Sequence, residues 1–209
     1  MKSRIGITAL VCALAVPALA QTPDYIRAKS DAVRAAFGPD VAATIFSDAY
    51  TVMRRDMIDK SARRIPTYEC PATPLMALAW VIPYPVKPGA VSWVEQFVVD
   101  CKPRTQRNFL IVIDRGRPRM IELLPGATAA DPLLQRDTFA GSNAAIAGAR
   151  PKDCDRQWVV DTRLVAPRRD NEPWSERWIY DMCGTRAEVE MTFTPSPRGG
   201  TTWNAKLAK

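Results

Sequence analysis

The sequence predicts an α+β fold: N-terminal helices, then two repeated units that each combine a helix, a four-stranded antiparallel meander and one disulfide. The main observation is an internal repeat, because Trp-Val-Glu-Gln-Phe-Val-Val-Asp-Cys at residues 93–101 recurs as Trp-Ser-Glu-Arg-Trp-Ile-Tyr-Asp-Met-Cys at 174–183. In each half, a stretch with helical spacing of apolar residues precedes segments rich in β-branched and aromatic residues. The two halves therefore share one order of elements.

Residues 1–20 have the layout of a secretory signal peptide. Two basic residues precede an apolar run at 5–16, and a small-residue site follows at 18–20. The apolar run is shorter than the roughly 20 residues that a membrane-spanning helix needs. We therefore expect cleavage before Gln21, a periplasmic or secreted protein, and no transmembrane segment after cleavage.

The charge balance is moderately basic. The full chain has 29 Lys+Arg and 22 Asp+Glu, a formal net charge of +7. Removal of the signal peptide takes away two cations and no acids, which leaves +5. The cations are dispersed along the chain, which is typical of a solvated surface. In an envelope compartment the expected partners are a protein or a glycan, and nucleic acid is not expected.

Residues 21–66 are predicted to form the N-terminal helical segment. Gly38 and Pro39 interrupt the helical pattern, and Asp40 is expected to cap a second, longer helix. Residues 67–125 form the predicted first meander. Its strands are expected at 75–84, 92–101, 108–114 and 120–124, with a turn at 85–89.

Residues 126–209 are predicted to form the helix and the second meander. Asp131 is a suitable N-cap with Pro132 in the first helical position, and the helix is expected to run to about Ala147. Its strands are expected at 157–165, 174–182, 186–194 and 201–207.

Four cysteines remain after signal cleavage, and an even number in an oxidising compartment indicates disulfides. Each repeat has one cysteine before its first strand and one at the end of its second strand. The repeat therefore predicts the pairs Cys70–Cys101 and Cys154–Cys183, 31 and 29 residues apart. Closing loops of this size stabilises a fold by about 3–4 kcal/mol each in the chain-entropy description.

The second copy of the repeat has one extra residue, Met182, before its cysteine. Strict alternation along the strand would place Cys183 off the face that carries Trp174. We therefore predict a β-bulge near Asp181 and Met182, which would restore the cysteine to that face.

The residue types exclude several classes of enzyme. The chain has no histidine, which removes Ser-His-Asp and Cys-His catalysis and histidine metal sites. The remaining catalytic hypothesis is a glycan hydrolase that uses Glu95 and Glu176, since such enzymes place two carboxyl groups about 5–9 Å apart. Duplication alone also explains this pair. The sequence therefore favours a non-enzymatic function, with no cofactor and no metal.

The chain contains six tryptophans, of which Trp174 and Trp178 lie four residues apart on one predicted strand. Both rings should therefore point to the same face of the sheet. A pair of flat rings on a sheet face is a candidate glycan-binding surface. The alternative, which the size of the side chain favours, is that these rings fill the core between a helix and the sheet.

Several short motifs of turn, cysteine and aromatic residues lie between residues 125 and 203. They are Pro125-Gly126 and Thr128, Ala130-Asp131-Pro132 with Leu134-Gln135, Asp161-Thr162-Arg163, Trp174, Glu176 and Trp178, Cys183-Gly184, Phe193-Thr194-Pro195 and Gly199-Gly200-Thr201. In these motifs the chain resembles an uncharacterised family of secreted proteobacterial proteins. The resemblance implies an exported globular domain and carries no activity, ligand or catalytic residue.

Together these patterns predict an exported, disulfide-stabilised, non-catalytic binding or interaction protein of the bacterial envelope. The alternatives are the carboxylate-dependent hydrolase and a secreted inhibitor of another enzyme, which would also lack catalytic residues. A buried position for Trp174 and Trp178 would favour the core interpretation of these rings, and an exposed pair would favour a binding surface.

Overall fold

The computed structural model describes residues 23–65, 67–72, 74, 76–84, 91–114 and 117–208. The predicted signal peptide and the predicted turn at 85–89 lie outside these residues, as does the side chain of Trp80. Within the described part of the chain, no helix is long and apolar enough to cross a membrane.

The N-terminal segment forms three helices, α1 (Pro23–Phe37), α2 (Pro39–Ile45) and α3 (Asp48–Arg63). The long helix expected after Asp40 is wrong, because the chain breaks at Ser47. The Ser47 hydroxyl accepts a hydrogen bond from the backbone N–H of Tyr50 (3.3 Å) and caps α3. Serine at this position satisfies a helical N–H group that would otherwise lack a partner, so the break is locally stable.

The first sheet has the predicted meander order, in which each strand pairs antiparallel with the next. Trp93 and Phe97 lie on the face that packs against the helices, in a core that also contains Ile45 and Ile58. The strands are β1 (Met76–Pro83), β2 (Val91–Val99), β3 (Thr105–Asp114) and β4 (Arg117–Glu122).

The second unit repeats this arrangement with one helix, α4 (Pro132–Ile146). As predicted, Asp131 caps α4: its carboxyl group accepts from the N–H of Leu134 at 2.9 Å. A short 3₁₀ turn, Ala147–Ala149, follows the helix. The strands of the second meander are β5 (Trp158–Leu164), β6 (Trp174–Met182), β7 (Thr185–Pro195) and β8 (Thr201–Leu207).

Both predicted disulfides are confirmed. Cys70 bonds to Cys101 with a Cα–Cα distance of 4.2 Å, and Cys154 bonds to Cys183 at 5.8 Å. Each bridge lies within one helix-plus-meander unit. The fold is therefore the predicted α+β arrangement of two units with one disulfide each.

The predicted bulge at Met182 is wrong. β6 pairs regularly with β7 up to Met182, which lies opposite Thr185. Cys183 and Gly184 have φ values of 54° and 88° and form the two-residue turn that follows the strand. Two consecutive positive φ values are typical of a tight hairpin turn whose twist matches that of the strands. Cys183 therefore belongs to the turn, beyond the end of β6, and no bulge is needed to place it.

The observed register shifts lie in the first strand of each sheet. In β5 the shift falls between Val159 and Asp161, and in β1 it falls between Leu78 and Trp80. The two meanders therefore share this irregularity as well as their strand order.

The two units pack closely. Val160 and Ile179 of the second sheet belong to the core of the first unit, and the Tyr68 hydroxyl donates to the Val160 carbonyl at 2.5 Å. Between the sheets, Gly126 donates its N–H to the Gln106 carbonyl at 3.1 Å. The connection between the units is thus hydrogen-bonded into the fold.

Candidate functional site

Glu176 lies at the centre of a buried hydrogen-bond network on β6. Strand alternation places Trp174, Glu176 and Trp178 on one face, toward the segment that precedes α4. The indole N–H of Trp174 donates to Oε1 of Glu176 at 3.1 Å, and that of Trp178 donates to Oε2 at 2.9 Å. Glu176 is fully buried.

Three further donors come from the segment before α4. The Thr128 hydroxyl donates to Oε2 of Glu176 at 2.7 Å, and the N–H groups of Ala129 and Ala130 donate to Oε1 at 2.8 and 3.2 Å. All five partners are donors, which matches the acceptor-only chemistry of a carboxylate. Glu176 therefore joins β6 to the start of α4.

Trp174 and Trp178 are core residues, with exposed fractions of 5% and 0%. Phe193 stacks on Trp174 with ring centroids 4.8 Å apart, and the Arg168 guanidinium carbon lies 4.3 Å from the Trp174 centroid. The burial favours the core interpretation of these rings and gives the glycan-stacking hypothesis no support.

Glu95 occupies the equivalent position in the first sheet, and it is also fully buried. Its Oε1 accepts from the Trp93 indole and the Tyr50 hydroxyl, both at 3.0 Å, and Arg54 Nη1 lies 3.8 Å from Oε2. Burial raises the pKa of Glu95, against the opposing effects of Arg54 and the two hydrogen bonds. Burial likewise raises the pKa of Tyr50, with a further contribution from the Glu95 charge.

The two glutamates occupy different environments. Glu95 contacts α3, whereas Glu176 contacts the segment before α4, and their hydrogen-bond partners among the described residues do not overlap. A hydrolase needs two carboxyl groups on one substrate. The structure instead shows each glutamate tying a strand to its own helical segment.

The raised pKa of Glu95 predicts a pH-dependent difference between the protein and a Glu95→Gln variant. The folded state holds the Glu95 proton to a higher pH than the unfolded chain, where the ordinary value is about 4.3. Its contribution to stability is therefore complete below that value and is lost as the pH rises through the folded pKa. Urea unfolding from pH 4 to 8 should show the variant gaining stability relative to the native protein as the pH rises.

The glutamine is nearly isosteric, and its amide oxygen can keep the two hydrogen bonds at the Oε1 position. A matched control is Glu188→Gln on the surface of β7, where the side chain is 46% exposed. A stability difference between Glu95→Gln and the native protein that stays constant across this pH range would contradict the prediction.

A groove of about 890 Å³ lies between the two units. One wall is the face of the first sheet that points away from α1–α3. Trp93 and its partner Ile111 point toward the helices, and side chains alternate along a strand, so the neighbouring residue Leu110 points to the opposite face. Its partners Val94 and Ile121 lie on that face as well. Val112 continues this wall.

The opposite wall is the outer side of α4. Leu133 and Phe139 line the groove and are 51% and 41% exposed. The inner side of the same helix packs on the second sheet, where Ser142 lies 2.6 Å from the Tyr180 hydroxyl. The two large apolar side chains that α4 exposes therefore both line the groove.

The groove also reaches a polar cluster of Ser61, Arg64, Arg107 and Glu122. Glu122 accepts from the Ser61 hydroxyl at 2.5 Å and from Arg64 Nη1 at 3.0 Å. Arg107 Nη1 lies 3.9 Å from Glu122, and Nη2 donates to the Ser61 carbonyl at 3.3 Å. Arg107 is only 2% exposed, and burial lowers its pKa against the opposing effect of Glu122.

Sequence reasoning missed this groove. Residue spacing gave no signal for it, because Leu133 and Phe139 lie six positions apart and so about 120° from each other around the helix.

Comparisons of the chain with family models, curated proteins and solved structures found no match. The resemblance of residues 125–203 to secreted proteobacterial proteins stays a prediction. Among the residues that the structure describes, no group of three or more His, Cys, Asp or Glu side chains could hold a metal ion.

Proposed function

We propose that this protein is an exported, non-catalytic binding protein of the bacterial envelope, and that the groove between the first sheet and α4 is its ligand-binding site. The observation that carries this proposal is the groove itself, with about 890 Å³ of space between largely apolar walls. Ligand sites in proteins usually have volumes of about 300–1,000 Å³ and a lining of this kind.

The exposure of the lining residues supports a binding role. Ile121, Leu133 and Phe139 are all more than 40% exposed, although they line one concave surface. Large exposed apolar residues that cluster in this way indicate an interaction site, because covering them releases free energy in proportion to the apolar area removed from water.

The occupant that fits best is a small amphiphile with an extended apolar body. The walls supply aliphatic contacts from Leu110, Val112 and Leu133, which suit an alkyl chain. The arginines at one end of the groove favour a ligand that also has a polar group. A second copy of the chain is the competing occupant, which sedimentation of the native protein and a groove variant separates from a small ligand.

The lining favours binding over catalysis. Glu122 is the one carboxyl group among the described lining residues, and Ser61 and Arg64 both hydrogen-bond to it. An acid–base pair of the kind that hydrolases use would need a second group nearby. Glu95 and Glu176 do not line this groove.

A Leu133→Asp variant should lose ligand binding while the fold is kept. Leu133 is half exposed, so the change adds a charge to the groove wall at little cost to stability. With the neutral dye Nile red as the probe, we expect fluorescence titration to show binding at least about tenfold weaker than in the native protein, because a charged group in an apolar site is strongly disfavoured.

The matched control is Val52→Asp, which places the same charge at a 70% exposed apolar residue of α3 outside the groove. Equal Nile red binding by Leu133→Asp and the control would overturn the groove as the binding site. Sedimentation would overturn the small-ligand proposal if the native protein were a dimer that Leu133→Asp dissociates, since the groove would then be a contact between copies.

A further inference from the structure

The polar end of the groove has an excess of positive charge. Arg64 and Arg107 face the single carboxyl group of Glu122, so the three side chains together have one uncompensated cation. Arg136 also lines the groove farther along α4, but its charge is paired with Asp137 at 2.9 Å and does not add to this excess. A cation excess beside apolar walls is the electrostatic complement of an anionic amphiphile.

Arg107 has few partners for a buried cation. It makes one hydrogen bond of 3.3 Å to the Ser61 carbonyl, and its nearest carboxyl oxygen lies 3.9 Å away. Its Nε is buried without a hydrogen-bond partner among the described residues. The Tyr68 ring, 5.5 Å from the guanidinium carbon, supplies a weak cation–π contact. A buried charge normally requires closer compensation.

Glu122 supplies only weak compensation, because it lies beyond hydrogen-bond distance of Arg107. Its Oε2 is held by Arg64 at 3.0 Å, and its Oε1 accepts a 2.5 Å hydrogen bond from Ser61. Each oxygen has a closer partner than Arg107, and Arg107 Nη1 stays 3.9 Å away although a carboxylate oxygen can accept a second hydrogen bond. A further acceptor at this end of the groove would complete the coordination of the arginine.

We infer that the ligand of the groove has a carboxylate bound by Arg64 and Arg107, and hence that the protein binds long-chain carboxylic acids. This inference rests on the proposed function, since it names the ligand class of the same site. A monoanion balances the one uncompensated charge of the cluster, and a planar carboxylate matches the paired N–H donors of a guanidinium group.

The path of the groove supports this orientation. Arg107 pairs with Phe97 and so belongs to the helix-facing side of the sheet, whereas Leu110 belongs to the opposite side. The groove contacts both residues, so it passes the end of the edge strand β4. A ligand can therefore place its carboxylate at the arginines and its alkyl chain against Leu110 and α4.

The test compares dodecanoate, 1-dodecanol and dodecyl phosphate as competitors of Nile red on the full mature protein at pH 8. We expect dodecanoate to compete at least about tenfold more tightly than the alcohol, which is the usual gain from hydrogen bonds to a charged group. Dodecyl phosphate, with a larger head group and a higher charge, should compete less well than the carboxylate.

Two charge variants should change this preference in opposite directions. Arg64→Gln removes a half-exposed cation and should reduce the advantage of dodecanoate over the alcohol to about twofold or less. Glu122→Gln removes the competing carboxyl group and should increase the advantage. Arg198→Gln, at an exposed turn outside the groove, is the matched control and should leave the preference unchanged.

The outcomes separate this inference from the proposed function. If dodecanoate and dodecanol compete equally, the carboxylate inference is overturned and the groove remains a site for apolar ligands. If dodecyl phosphate competes most tightly, the head group is a phosphate and the inference is also overturned. If the native protein does not bind Nile red, the proposed function itself fails. Arg107→Met offers a second measurement, because loss of the dodecanoate preference with unchanged dodecanol binding supports the inference even if stability falls.

Discussion

Replacing Glu176 with alanine is expected to lower the free energy of unfolding by about 4 kcal/mol, because it removes the shared acceptor of five hydrogen bonds, three of them buried. These donors come from two tryptophans of β6 and from residues 128–130. A loss of this size is a large part of the 5–15 kcal/mol that stabilises a typical domain. Urea unfolding followed by tryptophan fluorescence would measure it.

Glutamine at the same position distinguishes a hydrogen-bond effect from a cavity effect. Both carboxyl oxygens of Glu176 accept at least two hydrogen bonds, so an amide NH₂ at either position would face donors. Glu176→Gln should therefore also destabilise the fold, by about 2–3 kcal/mol. Glu95→Gln should cost less at acidic pH, because Oε2 of Glu95 accepts no hydrogen bond in the described structure.

An exposed glutamate of the same sheet provides a control for the stability changes expected at Glu176. Glu188 forms a 3.6 Å ion pair with Arg177 on the exposed side of the second sheet. Glu188→Ala should change stability by less than about 1 kcal/mol, as exposed ion pairs do. If Glu176→Ala cost no more than Glu188→Ala, the buried network would not be the tie between β6 and α4 that we describe.

Gly126→Ala is the second change with a large expected effect, a loss of about 3 kcal/mol or more in the free energy of unfolding. A Cβ atom at this position would lie 2.3 Å from Oδ1 of Asp161 and 2.4–2.5 Å from the backbone N and O of Thr162. The φ value of 84° is also unfavourable for any residue with a Cβ. Because two of the three atoms are backbone, local side-chain rotation cannot remove the clash.

Two other glycines separate the steric contribution from the backbone contribution. Gly199 has a φ of 92° but open space around its Cβ position, so Gly199→Ala should cost only about 1 kcal/mol. Gly148 has open space and no positive φ, so its replacement should be close to neutral. Thermal unfolding of the three variants should give this order, and a Gly126→Ala protein as stable as Gly199→Ala would contradict the close approach between the units.

Local signals in the sequence identified most of the elements correctly. The alternating and aromatic-rich segments predicted all eight strands, and the bounds of β6 and β8 agree with the structure to the residue. Asp131 followed by Pro132 located the start of α4 because an N-cap is a short-range interaction. The break at Ser47 also depends on an N-cap, but it was missed. A serine caps a helix only where the path of the chain lets its hydroxyl reach the third N–H group of that helix, and the residue type alone does not show this.

The cysteine pairs could be predicted because duplication reduces three connectivities to one. The backbone around Cys183 could not be predicted in the same way. Strand alternation requires a bulge only if the cysteine is still part of the strand, and a two-residue turn with positive φ values removed that requirement. Side-chain parity alone does not distinguish the last residue of a strand from the first residue of a turn.

The glutamate pair shows where the limit of sequence reasoning lies. The repeat singled out Glu95 and Glu176. Their donors, however, include Tyr50, 45 residues before Glu95, and the segment at 128–130, more than 45 residues before Glu176. Whether a carboxyl group is satisfied in a core or available in a pocket depends on such distant contacts, which residue spacing does not contain.

By itself, the sequence determined the doubled unit, its order of elements and its disulfides, because these follow from short-range preferences and from similarity between the halves. Only the tertiary structure decided how the two units pack against each other and which side chains this packing buries. It buried Trp174, Trp178 and both glutamates, and it left one side of α4 facing the first sheet across an open groove. That groove depends on the separation and angle of two packed units, which the full set of long-range contacts determines.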